Sequence, residues 1–370
     1  MIARHKIAFI TVVPSPYQRD LFGALAARGD VDLSVYYMEA ASPDSPWPEV
    51  PLRPFERIMP GKWASFRGAR VHMNWPLPDL SQAGLVVLSS YASLTGQMLM
   101  RGRRLAGKRW LYWGERMREQ PPGWRETVQR HLASPLARAS AIVGIGREAE
   151  AGYRRRFPHL PHFCIPYHCD LSVFLGTPRR ERGSERLRFF FCGQMIRRKG
   201  LDLLLTAFGR LIAKGYPIEL MLTGREADLP EFLAQISPEA RAHIRNEGFQ
   251  APERLPEYFS QCDVFVLPSR HDGWGVVINQ ALGAGLPVIS SDAAGAGLDL
   301  VEPGVNGLLC KAGDLDSLQN AMERFAQNPE LARQWGEASR QKAHAITPEA
   351  GAEKWMQVFE SLSQPAAMAG

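Results

Sequence analysis

No stretch of the 370-residue chain approaches the roughly 20 consecutive apolar residues that a membrane-spanning helix requires. The opening MIARHKIAFITVVP is too short an apolar run, and too soon ended by proline, to read as a signal peptide. A chain of this kind is expected in the cytoplasm, meeting a membrane only from its inner face. Cysteine is also scarce: five residues, at 164, 169, 192, 262 and 310, contain no CxxC and leave an odd thiol. That count favours a reduced protein over a disulfide framework or a zinc site. No GxGxxG follows the first strand, which argues against a dinucleotide dehydrogenase. No helix-turn-helix, zinc-finger or aromatic RNA-binding motif is present, so nucleic acid is not an expected partner.

What remains is ordinary globular material, 45% hydrophobic and 22% charged, in a chain longer than one hydrophobic core usually serves. Two domains follow. The net charge of +6 is unevenly divided: residues 1–175 hold 23 Lys+Arg against 14 Asp+Glu, or +9, and the remainder carries 21 against 24, or −3. Arg101, Arg103, Arg104, Lys108 and Arg109 cluster, as do Arg154, Arg155 and Arg156. Such clusters are either a solvated helix face or an attraction for anionic lipid or a phosphate-linked acceptor.

The most informative run is PSRHDGWGVVINQALGAGLPVISS, from Pro268 to Ser291. It follows the buried strand pattern DVFVLPS, passes through RHDGWG, and enters a helix near Val276 whose apolar face is Val277, Ile278, Ala281 and Leu282. A Gly-Leu-Pro turn then leads to a second strand. Strand, glycine-rich loop, helix and strand make a right-handed crossover unit, whose first loop opens at the carboxyl edge of a parallel sheet, where ligands bind. Gly273 and Gly275 let the backbone approach a phosphate or serve simple turn geometry. Asp272 beside Trp274 suits a grip on a hydroxylated ligand or a helix cap.

These residues resemble the donor-binding signature of retaining GT-B glycosyltransferases of family four (glycosyl transferases group 1), PS..EG(F/W)G....EA...G.PV. Its two acids fall at Asp272, which keeps the charge on a shorter arm, and at Gln280, an amide able to hydrogen-bond a ribose. Other motifs agree. Gly193-Gln-Met-Ile-Arg-Arg-Lys199-Gly200 before the helix from Leu201 resembles the family's "GR....KG.d.l..A", with Gln194 in place of a phosphate-binding arginine. The resemblance implies that Gly193, Arg197, Arg198 and Lys199 hold the diphosphate, and that Phe249 lies beside the base. It further implies that Gly273, Trp274, Gly275, Val276 and Gln280 complete the donor site, with Asp272 contacting the sugar. Glu115, at the carboxyl end of the strand Arg109 to Trp113, matches by position a catalytic-site residue of the first domain, or else caps the following segment. The implied fold is α/β, GT-B, two facing doubly wound Rossmann-like domains with a deep cleft between them. The boundaries are 1–175, a charged linker at 176–186, a donor domain at 187–345, and a C-terminal helix within 346–370 returning to the first domain.

Two segments have less pattern. Residues 40–78, rich in proline and tryptophan, read as a binding loop or lid, or as an insertion with short strands. Ala293 to Gly297 reads as a flexible loop. The resemblance implies transfer of a sugar from a nucleotide-diphosphate sugar to a glycan or lipid-linked acceptor, with retention, no cofactor and no metal. Alternatives are a nucleotide-sugar epimerase on the same fold and a non-catalytic binding relative, the latter motivated by Gln280 and Gln194.

Overall fold

The computed structural model describes residues 4–41, 50–66, 69–102, 105–117, 120–179 and 186–363. The chain divides into two compact units, residues 1–169 with 348–370, and residues 170–347. Of the expected linker, 180–185 lie outside the described residues, as do Arg103 and Arg104 of the basic cluster and 42–49 of the irregular stretch.

In chain order the first unit contains β1 (His5–Thr11), α1 (Pro16–Ala27), β2 (Val31–Tyr37), β3 (Glu56–Ile58), β4 (Gly61–Phe66), β5 (Ala69–Asn74), β6 (Leu85–Leu88), α2 (Leu94–Arg101), β7 (Arg109–Gly114), α3 (Trp124–Ala133), β8 (Ala141–Gly144), α4 (Arg147–Arg156) and β9 (His162–Cys164). Seven strands pair in parallel in the order β3-β2-β1-β6-β7-β8-β9. Its central strands are apolar on both faces, as a sheet covered on both sides requires. The stretch at 40–78 is no plain loop: it supplies the edge strand β3 and the antiparallel hairpin β4–β5. Prolines at 51, 54, 60, 76 and 78 flank the hairpin and give the whole stretch the composition of a loop. Buried Glu56 anchors β3 by accepting bidentate bonds from Arg19 of α1, at 2.9 and 2.7 Å, and one from Tyr37 Oη at 2.8 Å.

The second unit continues with α5 (Ser172–Gly176), β10 (Leu187–Cys192), α6 (Leu201–Ala213), β11 (Ile218–Thr223), α7 (Leu229–Ala234), α8 (Pro238–Arg241), β12 (Ile244–Asn246), α9 (Leu255–Ser260), β13 (Val264–Leu267), α10 (Val277–Gly283), β14 (Val288–Ser291), α11 (Gly295–Leu300), β15 (Gly307–Cys310), α12 (Leu315–Gln327) and α13 (Glu330–Ala343). Its six strands are parallel in the order β12-β11-β10-β13-β14-β15. One expectation is corrected here: Ala293 to Gly297 is not a flexible loop. Asp272 bridges to Ala294, and helix α11 begins at Gly295. The glycines serve packing, since a Cβ on Gly297 would stand 2.2 Å from Ser290 Oγ and one on Gly295 would stand 2.5 Å from the Gly273 carbonyl. A stretch of Gly and Ala thus mimics a loop in composition while being required by a close helix–strand contact.

The chain re-enters the first unit as α14 (Pro348–Ser363). Trp355 of α14 is wholly buried, with ring centroids 5.2 Å from Phe9 and 5.4 Å from Trp113. Nearby, His168 is 2% exposed and donates Nδ1–H to the Pro166 carbonyl at 2.8 Å. Burial, reinforced by the Lys354 charge, lowers its pKa to about 4. A histidine that is harder to protonate when folded contributes stability that is present at neutral pH and lost as pH falls from about 6.5 to about 4. The loss is about 3 kcal/mol at one pKa unit per 1.36 kcal/mol. Urea denaturation across that window should show the decline in the natural chain and a flatter curve in a His168→Gln variant.

Candidate functional site

In the second unit, strand order reverses between β10 and β13. The crossover through α6 runs to β11 and that through α10 runs to β14, in opposite directions along the sheet. Right-handed crossovers of opposite direction cover opposite faces, so the loops after β10 and β13 part and leave a crevice at the carboxyl edge. Those loops are the basic turn ending at Gly200 and the run beginning at Pro268 that carries Asp272.

The structure joins them through side chains and backbone. Lys199 Nζ donates to Asp272 Oδ2 at 2.5 Å, with the two side chains only 16% and 12% exposed. Arg270 holds the frame: its guanidinium makes paired bonds to Asp202 at 2.6 and 2.8 Å and another to the Arg197 carbonyl at 2.7 Å, while its amide donates to the Arg198 carbonyl at 2.8 Å. Arg198 Nη1 returns a bond to the His271 carbonyl at 3.1 Å. Residues 197–199 form a single 3-10 turn that ends at Gly200, whose φ of +77° only glycine adopts readily. A Cβ there would stand 2.0 Å from the Pro268 carbonyl. Neither Arg270 nor Asp202 was singled out for this bracing role from sequence; the pairing of an acid early in α6 with a cation 68 positions later has no local signal.

The other expected residues fall in distinct places. Arg197 and Arg198 are exposed and Lys199 is half-buried beside them. Gly193 approaches Gly224 so closely that a Cβ on Gly224 would meet the Gly193 carbonyl at 1.9 Å. Trp274 points inward: it is 1% exposed and its Nε1 donates to Asn279 Oδ1 at 3.0 Å, so its side chain braces the loop and only its backbone faces outward chemistry. Gly273, Gly275, Val276 and Gln280 are half-buried along the start of α10. Phe249 follows the edge strand β12 and is 54% exposed, an unusual setting for a ring that size. Burial pushes the Cys192 thiol, just before Gly193, up to about 11, so it adds no charge to the crevice at neutral pH.

Glu115 belongs to the first unit, exposed at the carboxyl end of β7. Tyr167 Oη donates to its Oε1 at 3.1 Å, and Tyr153 Oη donates to its backbone carbonyl at 2.9 Å. Burial and the Glu115 charge both hold Tyr167 protonated, which fixes the tyrosine as donor. The Tyr167 ring lies 4.6 Å from that of Tyr17, in the loop-to-helix segment after β1. Among the described residues no group of three or more His, Cys, Asp or Glu is arranged to hold a metal ion, and no helix is long and apolar enough to cross a membrane.

The sequence of this unit matches the family described as glycosyl transferases group 1 over residues 178–342. The second unit is a group 1 glycosyltransferase domain. Similar proteins include an alpha-D-kanosaminyltransferase of Streptomyces kanamyceticus, 25% identical over 148 residues, covering 40% of this chain and 38% of that protein. A D-inositol 3-phosphate glycosyltransferase of Streptomyces griseus is 32% identical over 232 residues, covering 60% of this chain and 47% of that protein. The chain thus aligns with about half or less of the length of these relatives. Among solved structures, sucrose-phosphate synthase from Thermosynechococcus elongatus superposes with a TM-score of 0.74 at 22% identity, covering 97% of this chain and 99% of that one. Anabaena HepE in complex with UDP gives 0.71 at 16% identity, covering 96% and 100%. The α/β fold with two Rossmann-like units is that of the GT-B glycosyltransferases.

Within the glycosyltransferase domain, the close approach at Gly200 gives a contrast. Gly200→Ala combines backbone strain with a collision, whereas Gly215→Ala, at φ +83° with nothing within 4 Å, meets strain alone. Thermal melts should show Gly215→Ala losing about 1–2 kcal/mol and Gly200→Ala losing clearly more. Equal losses would mean that the basic turn does not depend on its contact with Pro268.

Proposed function

We propose that this protein moves a sugar from a nucleoside-diphosphate sugar to a hydroxyl of a glycan or lipid-linked acceptor, with retention at the anomeric carbon. The observation that carries this reading is the meeting of Lys199 and Asp272, from two separate motifs, at the strand-order reversal of the glycosyltransferase domain. A buried pair of this kind contributes little net stability, because desolvation offsets the attraction. Its worth lies in presenting one cation and one anion side by side. The diphosphate takes Lys199 together with Arg197 and Arg198, charge-assisted donors suited to phosphate oxygens. Asp272 then accepts hydrogen bonds from sugar hydroxyls, Gln280 bonds the ribose, and exposed Phe249 meets the base.

In the reaction, the bond from the anomeric carbon to the β-phosphate oxygen breaks and its electron pair stays on that oxygen. The fixed cations stabilise the charge as it develops. The acceptor oxygen attacks from the same face, and its proton passes to the departing phosphate oxygen. Asp272 is already engaged with a cation, so front-face departure and attack is favoured over a covalent intermediate on a carboxylate. Side-chain cations here fill the part that a metal ion plays elsewhere, which supports a metal-independent reaction. Glu115, held by Tyr167, receives the acceptor hydroxyl, and the surplus of cations in residues 1–175 draws a phosphate-linked acceptor or an anionic inner membrane face.

A second reading is favoured by one feature. The half-buried Gln280 amide stands where the family carries an acid and makes no side-chain hydrogen bond to another described residue. That arrangement suits a relative that binds nucleotide sugar without turning it over. Thermal melting with UDP, GDP, ADP and their sugar conjugates tests both. A ligand at ~100 times its Kd adds about 2.7 kcal/mol, so one nucleotide class should raise the melting temperature, and Lys199→Ala should abolish the shift. No shift with any nucleotide would refute the donor site. A shift without turnover, with turnover appearing in Gln280→Glu, would establish the binding-only reading.

A further inference from the structure

At the opposite edge of the first sheet, a cavity of about 340 Å³ opens where β1, β6 and β7 begin. Its apolar wall combines Ile7 and Leu85 of the sheet with Phe359 and Leu362 of α14. Around it stand Arg4, Lys6, Arg109 and His5, and among the described residues no carboxylate lines it. Several exposed basic residues elsewhere have acidic partners, as Arg28 with Asp30 and Glu353, Arg154 with Glu150, Arg210 with Asp316 and Lys214 with Glu323. Arg4, Lys6 and Arg109 make no ion pair among the described residues; Arg4 Nε donates only to the Gly29 carbonyl, at 3.1 Å. Three unpaired cations crowded around one concavity repel one another, and an anion seated among them relieves that repulsion.

We propose that this cavity binds a small phosphomonoester whose organic part rests on Phe359 and Leu362. Its volume lies within the range of small-molecule pockets, and it has their usual make-up of apolar walls with a few convergent polar groups. The site is separate from the crevices at the carboxyl edges of both sheets, since it sits at the amino-terminal ends of the strands. Bound there, the ligand touches both the sheet and α14, and so adds to the hold of α14 on the first unit. The chain enters α14 directly from the second unit at Pro348, which makes this a point where a metabolite bearing a phosphate acts on the protein away from the donor site.

Two sources share this chemistry, a free phosphorylated metabolite and a lipid with a phosphomonoester head group. The test uses the whole chain carrying Lys199→Ala, which removes the competing phosphate site of the second unit. Calorimetric titration with glycerol 3-phosphate at low ionic strength should show binding near millimolar Kd, weakened at least tenfold by Arg109→Glu and left unchanged by Arg210→Glu. Sedimentation with vesicles containing phosphatidic acid is the second arm, with vesicles of neutral lipid as control. Binding of the soluble probe that depends on Arg109 supports a free metabolite. Arg109-dependent sedimentation without soluble binding supports the lipid. The inference is overturned if neither probe binds, or if both bind equally to Arg109→Glu and to the parent chain. Retention of the nucleotide-induced thermal shift by Arg109→Glu in the otherwise natural chain keeps this outcome distinct from failure of the donor site.

Discussion

Reversal of strand order between β10 and β13 is the constraint on which the chemistry of the second unit depends. Helix α6 packs with α7, α8 and α12, and α10 packs with α5, α11 and α13, as expected for crossovers that leave the sheet on opposite faces. The loops that begin those crossovers part at one edge, where backbone contacts join their bases and side chains meet above them. Lys199 and Asp272 do so. Any acid or cation placed one strand further along the sheet would lie outside the crevice.

Two kinds of interaction hold this place, and they differ in what they contribute. Arg270 is paired with Asp202 in a two-pronged bond and also holds the Arg197 carbonyl, so three atoms of the frame depend on one guanidinium, and its amide holds a fourth, the Arg198 carbonyl. The Lys199–Asp272 pair has a single bond. At an effective dielectric near 20, two charges about 4 Å apart attract by about 4 kcal/mol, and removing both from water costs several kcal/mol. Its net effect on folding is therefore small. The turn is held by Arg270 and by the fit of Gly200 beneath Pro268, which leaves Lys199 and Asp272 able to exchange each other for a ligand without loosening their loops.

Much of the second unit was legible in the sequence because its signals are local. A parallel strand buried on both faces is a continuous apolar run, and LRFFFC and VFVL announce β10 and β13 without reference to anything distant. Lys199 and Asp272 were legible as members of short motifs; their contact across 73 positions was not, since nothing in either motif encodes the partner. Trp274 shows the limit from the other side. A tryptophan in a glycine-rich loop reads as a ligand contact, and the fold instead buries it against Asn279, because an indole N–H taken out of water needs an acceptor and Asn279 supplies one a helical turn later. Ala293 to Gly297 was misread for a related reason: composition reports conformational freedom, while the space between α11 and β14 decides whether that freedom is used. In the first unit, prolines on either side of the hairpin β4–β5 gave the stretch the composition of a loop.

The electrostatics of the crevice also bear on the missing acid. Helix α10 has seven residues, barely two turns, and a helix end acts only over its first turn. Its field on a diphosphate is modest beside that of three side-chain cations on the 3-10 turn before α6. A glutamate in place of Gln280 would sit on this short helix and add a negative charge near the same crevice, strengthening a bond to ribose while opposing the phosphates. The neutral amide avoids that opposition and keeps both donor and acceptor for a hydroxyl pair. Loss of the acid is thus compatible with a donor site in which cations on one loop, rather than a helix end, hold the phosphates, and the full burden of positioning the sugar falls on Asp272.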